Sequence, residues 1–294
     1  YRVWLDRLEF NWPTDFQTAL ARSVTREAIV QLRNHLATRA IVKRGKTESR
    51  GYRPAVVNQT LTALRLLLEL AVKNHAIAST PFGQAGVIEG SLLMPPKTRR
   101  PELPSSERME RLLSEVGRVP ELETIEDPAL RAVRMQAAAH AEEYCRFLAY
   151  SGLRRGEAEA CRIEDDRGDT LIVRGTKTES AYRVVPVTPA LRGVIDGIRS
   201  RRPSGPMLAI KSARVPLLRA CGRLGIPALT HHHLRHYFAT VCIESGVPIP
   251  TVADWLGHSD GGALLIKTYR HLRDRHSLEA ARTVRFAAQG EAHL

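Results

Sequence analysis

Several features that would assign this chain to other classes of protein are missing from its 294 residues. The four cysteines lie far apart and form no Cys-x-x-Cys pair, which argues against a disulfide framework and indicates reduced thiols. No apolar run approaches the roughly 20 residues that a membrane span needs, and the first residues do not resemble a signal peptide. We therefore expect a cytoplasmic protein with no membrane partner.

Acidic residues are also absent from one long stretch, between Asp196 and Glu244. The whole chain carries a net charge of +13, which favours a polyanionic partner such as nucleic acid or an acidic membrane surface, although a generally basic protein is the alternative. A solvated face usually mixes both signs, so we expect this stretch to face phosphates. Its basic residues are Arg199, Arg201, Arg202, Lys211, Arg214, Arg219, Arg223 and Arg235.

Prolines divide the chain, because a proline-rich basic segment around residue 100 has the composition of a linker. We predict a small, all-helical first domain at 1–92, a linker at 93–104 and a second domain at 105–290. The fold class is mainly α (α+β), with one small antiparallel sheet from runs at 170–173 and 182–187. A loop is predicted at 43–53. Helices are predicted at 25–40, 54–74, 105–117, 127–150, 188–200, 211–224, 231–245, 249–256, 262–272 and 274–287.

Two segments of the second domain offer cations that could act on a phosphate. At 151–157 a glycine precedes Arg154 and Glu157, which is a common helix junction but also places a guanidinium at a tight turn. Glu157, three residues on, shares a helical face with Arg154 and could hold it in place. Lys177 lies in the predicted hairpin turn, where most lysines are simply solvated, yet a mobile turn can carry a general acid.

Two further segments supply histidines and a tyrosine. His232 and Arg235 share a helical face, which suits a base beside a second clamping guanidinium, with His231 or His233 as alternatives to His232. Zinc is the rival interpretation, because two of the histidines are spaced i, i+4, but the intervening Glu of His-Glu-x-x-His is absent. His258 and Tyr269 follow. A tyrosine is a poor nucleophile at neutral pH unless cations and a base assist it.

Together these segments resemble the tyrosine recombinase, or phage integrase, family. Residues 151–157 match its Thr-Gly-Leu-Arg-x-x-Glu box with Ser for Thr, and 232–236 match its His-x-Leu-Arg-His box. Residues 256–258 match Leu-Gly-His, and 269–271 match Tyr-x-His. Each box alone is weak, but the ordered set is specific, and the resemblance covers nearly the whole chain.

The resemblance implies a role for each candidate residue. Arg154 and Arg235 would hold the non-bridging oxygens of the scissile phosphate, and His232 would be the base or hydrogen-bond partner of Tyr269. His258 would donate to the phosphate, Lys177 would protonate the leaving 5′-oxygen, and Glu157 would support the site. Tyr269 would form a 3′-phosphotyrosyl link without a metal or any other cofactor.

The resemblance to this family also implies the architecture of the protein and its partners. A small core-binding domain and a catalytic domain would form a C-shaped clamp around double-stranded DNA. A homotetramer would exchange strands through a Holliday junction, with accessory DNA-bending factors, in the cytoplasm at the nucleoid. The candidate DNA-binding residues are Lys43, Arg44, Lys46, Arg50, Arg53, Lys97, Arg99 and Arg100.

The predicted function is site-specific recombination, with integration or excision of a mobile element as its purpose. Three alternatives remain at this stage: a type IB topoisomerase-like activity, a multimer-resolving strand transferase, and a DNA-binding protein without catalysis. The first two would use the same tyrosine chemistry.

Overall fold

The computed structural model describes residues 2–12, 21–39, 41–43, 46–48, 51–83, 92–94, 103–120, 122–175, 182–258 and 266. The chain divides into two compact units, 1–99 and 100–294. The predicted linker at 93–104 falls mostly outside the described residues, so its structure stays a prediction.

Three helices and a short ribbon make up the described part of the first unit. The helices are α1 (Arg2–Asn11), α2 (Arg26–Thr38) and α3 (Pro54–Lys73), and the antiparallel strands are β1 (Ile41–Lys43) and β2 (Lys46–Glu48). α3 packs against α1 and α2, and its buried Leu61 and Leu64 meet Leu8, Ile29 and Leu32 in one apolar core. The hydrophobic stripe on α3 therefore has partners on both neighbouring helices.

The ribbon departs from the prediction of an all-helical first domain with a loop at 43–53. Lys43 pairs with Lys46, so two residues separate the strands, and one of them is Gly45. That spacing is typical of a tight hairpin turn. Strands of three residues are too short to show an alternating pattern, which is why the sequence did not reveal them.

α3 is also the helix of the described part of the chain that has the length and composition of a membrane span. A core helix of a globular domain passes the same test, and here Val57, Leu61, Leu64 and Leu68 are buried against the rest of the unit. Its apolar character is thus accounted for by the core of the first unit.

The second unit is mainly helical around a central helix. Its described elements are α4 (Ser106–Val116), α5 (Pro128–Ser151), α6 (Arg155–Ala160), β3 (Thr170–Val173), β4 (Arg183–Pro186), α7 (Pro189–Arg201), α8 (Arg214–Arg223), α9 (His231–Glu244) and α10 (Ile249–Leu256). α5 packs against α4, α7, α8 and α9, and β4 packs against α10. β3 and β4 pair antiparallel, with Val173 opposite Arg183. The predicted mainly helical fold with a small antiparallel sheet is confirmed.

Capping side chains explain why the helices begin where the sequence predicts. Thr25 accepts from the Ala28 amide at 3.2 Å, and Asp127 accepts from the Ala129 amide at 2.8 Å. Thr188 likewise accepts from the amide of Leu191. Each oxygen satisfies an amide that the first turn leaves without an intrahelical partner.

Four of the eight basic residues in the acid-free stretch form ion pairs with carboxylates from elsewhere in the chain. Arg201 and Arg202 bind Glu143, and Arg199 binds the fully buried carboxylate of Asp166. Arg223 binds Glu115. The fold thus supplies opposite charges that the local sequence lacks, and contact of this stretch with phosphates stays a prediction.

Candidate active site

Four segments of the second unit, distant in sequence, meet at the end of α10. They are the junction of α5 and α6, the first residue of β4, the N-terminal half of α9, and the turn at 256–258. Three arginine side chains connect them by hydrogen bonds to backbone carbonyls and to one carboxylate. The site is thus held by polar contacts that cross more than 100 residues of sequence.

Arg154 lies immediately after the sharp turn that ends α5. Gly152 makes that turn with φ +64°, and a Cβ there would overlap the ring of Phe238, so only glycine fits. Arg154 donates from Nη1 to Glu157 at 3.0 Å and from Nη2 to the Gly257 carbonyl at 3.1 Å. Its side chain is 49% exposed. The guanidinium is therefore oriented by the protein and still reachable from solvent.

Arg235 lies beneath the same turn. Its side chain is only 5% exposed, and its terminal nitrogens donate to the Gly152 carbonyl at 2.8 Å and the Leu256 carbonyl at 2.6 Å. The Leu256 carbonyl also accepts from Arg154 at 3.4 Å. Since the C-terminal carbonyls of a helix carry partial negative charge, the end of α10 is a favourable place for both guanidiniums.

Glu157 is the carboxylate at the centre of this arrangement. It is 5% exposed, and its two oxygens accept from the amide and guanidinium of Arg154 and from two nitrogens of Arg183. Burial alone would raise the pKa of Glu157, but the hydrogen bonds from Arg183 and Arg154 lower it to about 2. Glu157 is therefore ionised at neutral pH. Three positive charges surround this one negative charge, so the site retains a net attraction for an anion.

Arg183 is the residue of this site that the sequence analysis missed. It opens β4 and shares a strand face with Val185, which is fully buried, since alternate residues of a strand point the same way. An arginine at an inward-facing strand position is unusual, because arginine is almost never fully buried unless it is paired. The inward-facing position of Arg183 in the predicted strand could have indicated a buried ion pair, but it does not identify Glu157 as the partner.

His232 is the most exposed of three consecutive histidines, and His231 and His233 are half-buried. The ring of His231 packs on Tyr144 with centroids 5.0 Å apart, and His233 accepts from the Thr230 amide at 2.8 Å. His232 contacts His236 edge to face, with centroids 4.5 Å apart. Its pKa is lowered by burial and then by the charge of Arg235, which favours the neutral, proton-accepting form. His232 is thus the most accessible of the three imidazoles, and its role as the base stays a prediction.

His258 follows the left-handed turn that ends α10. Gly257 has φ +66°, and the His258 amide donates back to the Ala253 carbonyl at 3.0 Å, which closes the helix end. The imidazole of His258 is near enough to His236 to lower its pKa. His258 therefore lies on the same side of the site as the histidines of α9.

Lys177 and Tyr269 lie outside the described residues, as do Arg44, Arg50, Lys97, Arg99 and Arg100. Among the other predicted DNA-binding residues, Lys43 and Lys46 form a backbone pair in the ribbon, and Arg53 precedes α3 with an exposed side chain. Their contact with DNA stays a prediction. Over the described residues no group of three or more His, Cys, Asp or Glu could hold a metal ion, so the structure adds nothing to the zinc alternative.

The histidines of α9 predict a loss of stability in mild acid. Burial, followed by the charges of His232 and His233, lowers the pKa of His236 to about 4 from 6.5. The unfolded chain therefore binds a proton that the folded chain refuses, and stability present above pH 6.5 declines as the pH falls towards 4. We expect the free energy of unfolding in urea to drop by roughly 1–3 kcal/mol on going from neutral pH to about pH 5.

Replacing His236 with glutamine tests whether this histidine causes the loss of stability in acid. His236→Gln keeps a polar side chain but cannot titrate, so its unfolding free energy should depend less on pH over the same range. Equal pH dependence in the variant and the wild type would show that other groups cause the acid sensitivity.

Comparisons with known proteins agree on one family. Residues 121–276 match the model of the phage integrase family. The tyrosine recombinase XerA of Pyrococcus horikoshii is 30% identical over 151 residues, which are 46% of this chain and 52% of that protein. A XerC-like tyrosine recombinase of Caldanaerobacter subterraneus is 22% identical over 212 residues, 56% of this chain and 54% of that protein. The match thus spans about half the length of these curated relatives.

Solved structures share the fold at low sequence identity. The Tn1549 transposon integrase, in complex with transposon right end DNA, superposes with a TM-score of 0.68 at 15% identity and covers 96% of this chain and 93% of that one. A lambda integrase dimer bound to a COC′ core site gives a TM-score of 0.59 at 15% identity, with 88% of each chain covered. The likeness extends over most of the chain.

Proposed function

Because this chain belongs to the phage integrase family, we propose that it is a site-specific DNA recombinase that cuts and rejoins strands through Tyr269. One observation carries the proposal. Arg154 and Arg235 both donate to the Leu256 carbonyl, so two guanidiniums meet at one backbone turn, beside His258. A pair of fixed guanidiniums suits the non-bridging oxygens of one phosphodiester.

In the proposed reaction the tyrosine oxygen displaces the 5′-oxygen from phosphorus. The bond from Tyr269 to phosphorus forms as the bond to the 5′-oxygen breaks, and the 3′ end stays on the enzyme. His232 takes the tyrosine proton, and Lys177 donates a proton to the departing oxygen. Negative charge develops on the phosphate oxygens, where Arg154, Arg235 and His258 stabilise it.

Rejoining is the same step in reverse. A 5′-hydroxyl of another strand attacks the phosphotyrosyl link, and the proton that it loses restores Lys177. The number of phosphodiester bonds is unchanged, so no external energy source is needed. Each proton released in one step is taken up in the other, which lets one set of side chains serve both directions.

The proposal also covers what the protein binds and what the recombination reaction achieves. We expect double-stranded DNA as the substrate, with four copies of the chain assembled on it in C-shaped clamps around two sites. Basic side chains of the first unit, such as the exposed Arg53, would contact the backbone. The enzyme would act at the nucleoid in the cytoplasm, with accessory DNA-bending factors, to integrate or excise a mobile element.

The experiment that tests this function traps the covalent intermediate. Nicked duplexes drawn from the DNA that flanks the gene are incubated with the protein in the presence of a metal chelator and run on denaturing gels. We expect a slow-migrating adduct, and digestion should locate the nucleotide on the peptide that contains Tyr269. A nick placed near the cut site allows the short 5′-hydroxyl strand to diffuse away, so the adduct accumulates.

Other outcomes of the same experiment separate the alternatives. Cutting that requires a metal and leaves no adduct would contradict the proposal. An adduct on any sequence, together with relaxation of unrelated supercoiled plasmids, would favour a type IB topoisomerase-like activity. An adduct confined to a chromosomal site outside any mobile element would favour multimer resolution.

A further inference from the structure

Every nitrogen of the Arg183 guanidinium donates to a group of the protein. Its Nη1 and Nη2 donate to the two oxygens of Glu157 at 3.0 and 2.8 Å, and its Nε donates to the Trp255 carbonyl at 2.8 Å. The side chain is 12% exposed. Both terminal nitrogens of Arg183 donate to a carboxylate, whereas those of Arg235 donate to neutral carbonyls, so Arg183 is placed to act through its neighbours rather than on DNA.

The first neighbour that it controls is Glu157. That carboxylate also accepts from Arg154, and it lies 4.0 Å from Nη1 of Arg235, beyond hydrogen-bond reach. Without Arg183, a buried carboxylate would need a new partner, since an unpaired buried charge is costly. Arg154 and Arg235 are the nearest cations, so they would turn towards Glu157. Arg183 thus keeps the carboxylate occupied and leaves both guanidiniums at the turn.

The second neighbour is the end of α10. Gly257 adopts φ +66°, and a Cβ at that position would lie 2.9 Å from Nη1 of Arg183. The turn that precedes His258 is therefore shaped around the guanidinium of Arg183 and has room for it only because residue 257 is glycine. Arg183 donates to the Trp255 carbonyl just before this turn, and Arg154 and Arg235 donate to the carbonyls of Gly257 and Leu256 within it.

The third neighbour is the hairpin of β3 and β4. Arg183 pairs with Val173, the last pair of the ladder, and Lys177 lies between the two strands in sequence. Bonds from Arg183 to Glu157 and to Trp255 therefore fix the base of the hairpin against α6 and α10. The starting point of the segment that carries the proposed general acid is set relative to Arg154.

We propose that Arg183 is a positioning residue of this active site, which holds Glu157, the end of α10 and the base of the hairpin in register around the phosphate. The proposal rests on the proposed recombinase function. It assigns Arg183 an effect on the rate of cleavage and on the binding of a phosphate anion, with little effect on the affinity for duplex DNA, most of which comes from contacts to the backbone.

The test compares Arg183→Gln with a matched control, Arg192→Gln. Arg192 makes the same bidentate contact with a buried carboxylate, Asp166, at 2.8 and 2.9 Å, in the same unit but away from the site. Both variants lose an ion pair of similar kind, so a general effect of stability on activity appears in both. Only Arg183→Gln should slow single-turnover adduct formation, by about 10- to 100-fold, because small misplacements of catalytic groups have effects of that size.

A double variant provides a readout that a merely structural role would not move. If unoccupied Glu157 captures the catalytic arginines, then Arg183→Gln combined with Glu157→Gln should cleave faster than Arg183→Gln alone, since the capturing charge is gone.

A substrate with sulfur in place of the bridging 5′-oxygen needs no general acid. Recovery of Arg183→Gln on that substrate would assign the remaining defect to the hairpin.

Binding of inorganic phosphate separates failure of this proposal from failure of the proposed function. Thermal stabilisation by phosphate needs no cognate DNA, and we expect Arg183→Gln to require at least several-fold more phosphate than wild type or Arg192→Gln. Wild-type phosphate binding together with a wild-type cleavage rate in Arg183→Gln would overturn the positioning role. Weak phosphate binding by Arg183→Gln, in a protein whose wild type cuts DNA only with a metal and forms no adduct, would support the positioning role and contradict the recombinase function.

Discussion

Replacing Tyr269 with phenylalanine is expected to abolish the protein–DNA adduct, with a fall in rate of more than about 1,000-fold, because no other group can take the place of the attacking oxygen. The change removes one oxygen and keeps the ring, so DNA affinity should stay near that of the wild type. The measurement is adduct formation on the nicked duplex in chelator, with binding followed separately by gel retardation.

The other tyrosines of the second unit support this choice of nucleophile. Burial raises the pKa of Tyr144, Tyr150 and Tyr237, which makes each a weaker nucleophile at neutral pH. Tyr182 is 60% exposed and lies next to Arg183. Tyr182→Phe is therefore the matched control and should form the adduct at the wild-type rate. Loss of the adduct in Tyr182→Phe, with the adduct retained in Tyr269→Phe, would show that the nucleophile is misassigned.

Helix positions were predictable wherever a local signal marks both ends. Thr25, Asp127 and Thr188 cap their helices through side-chain oxygens, and glycines 152 and 257 end α5 and α10 in the left-handed conformation. Such signals depend only on neighbouring residues, so they can be recognised without the fold. In the sequence, no Ser, Thr, Asp or Asn precedes α1 and no glycine follows it, so neither end carries a local signal and no helix was predicted there.

Contacts between distant residues were beyond local reasoning. The sequence predicted that Arg154 lies near Glu157, because the two are three positions apart on one helical turn. It did not show that Glu157 also binds Arg183, 26 residues further on, or that Arg199 and Arg202 are neutralised by Asp166 and Glu143. Charge that is segregated in sequence can be mixed in space. Net charge therefore indicates the partner of a protein better than it indicates the surface that meets the partner.

The four boxes were informative as an ordered set, because together they resemble one family in which their residues act on the same phosphate. Arg154, His232, Arg235 and His258 come from three separate parts of the chain, and the fold brings all of them to the end of α10. No periodicity or propensity predicts that meeting. The resemblance to a family did so, by linking boxes that are individually common junctions and helix starts.

Arg235 is the described residue whose loss should have the largest effect. Arg235→Gln removes a charge and leaves the carbonyls of Gly152 and Leu256 short of a buried donor, which costs about 1–3 kcal/mol for each group that finds no substitute. The rate of adduct formation should fall by about 1,000-fold or more, since a positioned cation at developing phosphate charge contributes on that scale. Circular dichroism in urea would measure the stability, and the adduct assay would be run well below the midpoint.

Arg235→Lys separates the two contributions of this side chain. Lysine keeps the charge, but its single ammonium cannot reach both carbonyls in the fork geometry of a guanidinium. We expect part of the stability to return while the rate stays at least about 10-fold below wild type, because the turn at 256–258 and the phosphate would no longer share one planar donor. Arg202→Lys, at an arginine that binds one carboxylate and one carbonyl outside the site, is the control and should cleave normally. Full activity in Arg235→Lys would mean that charge alone suffices there, and the proposed clamp on the phosphate would then rest on Arg154.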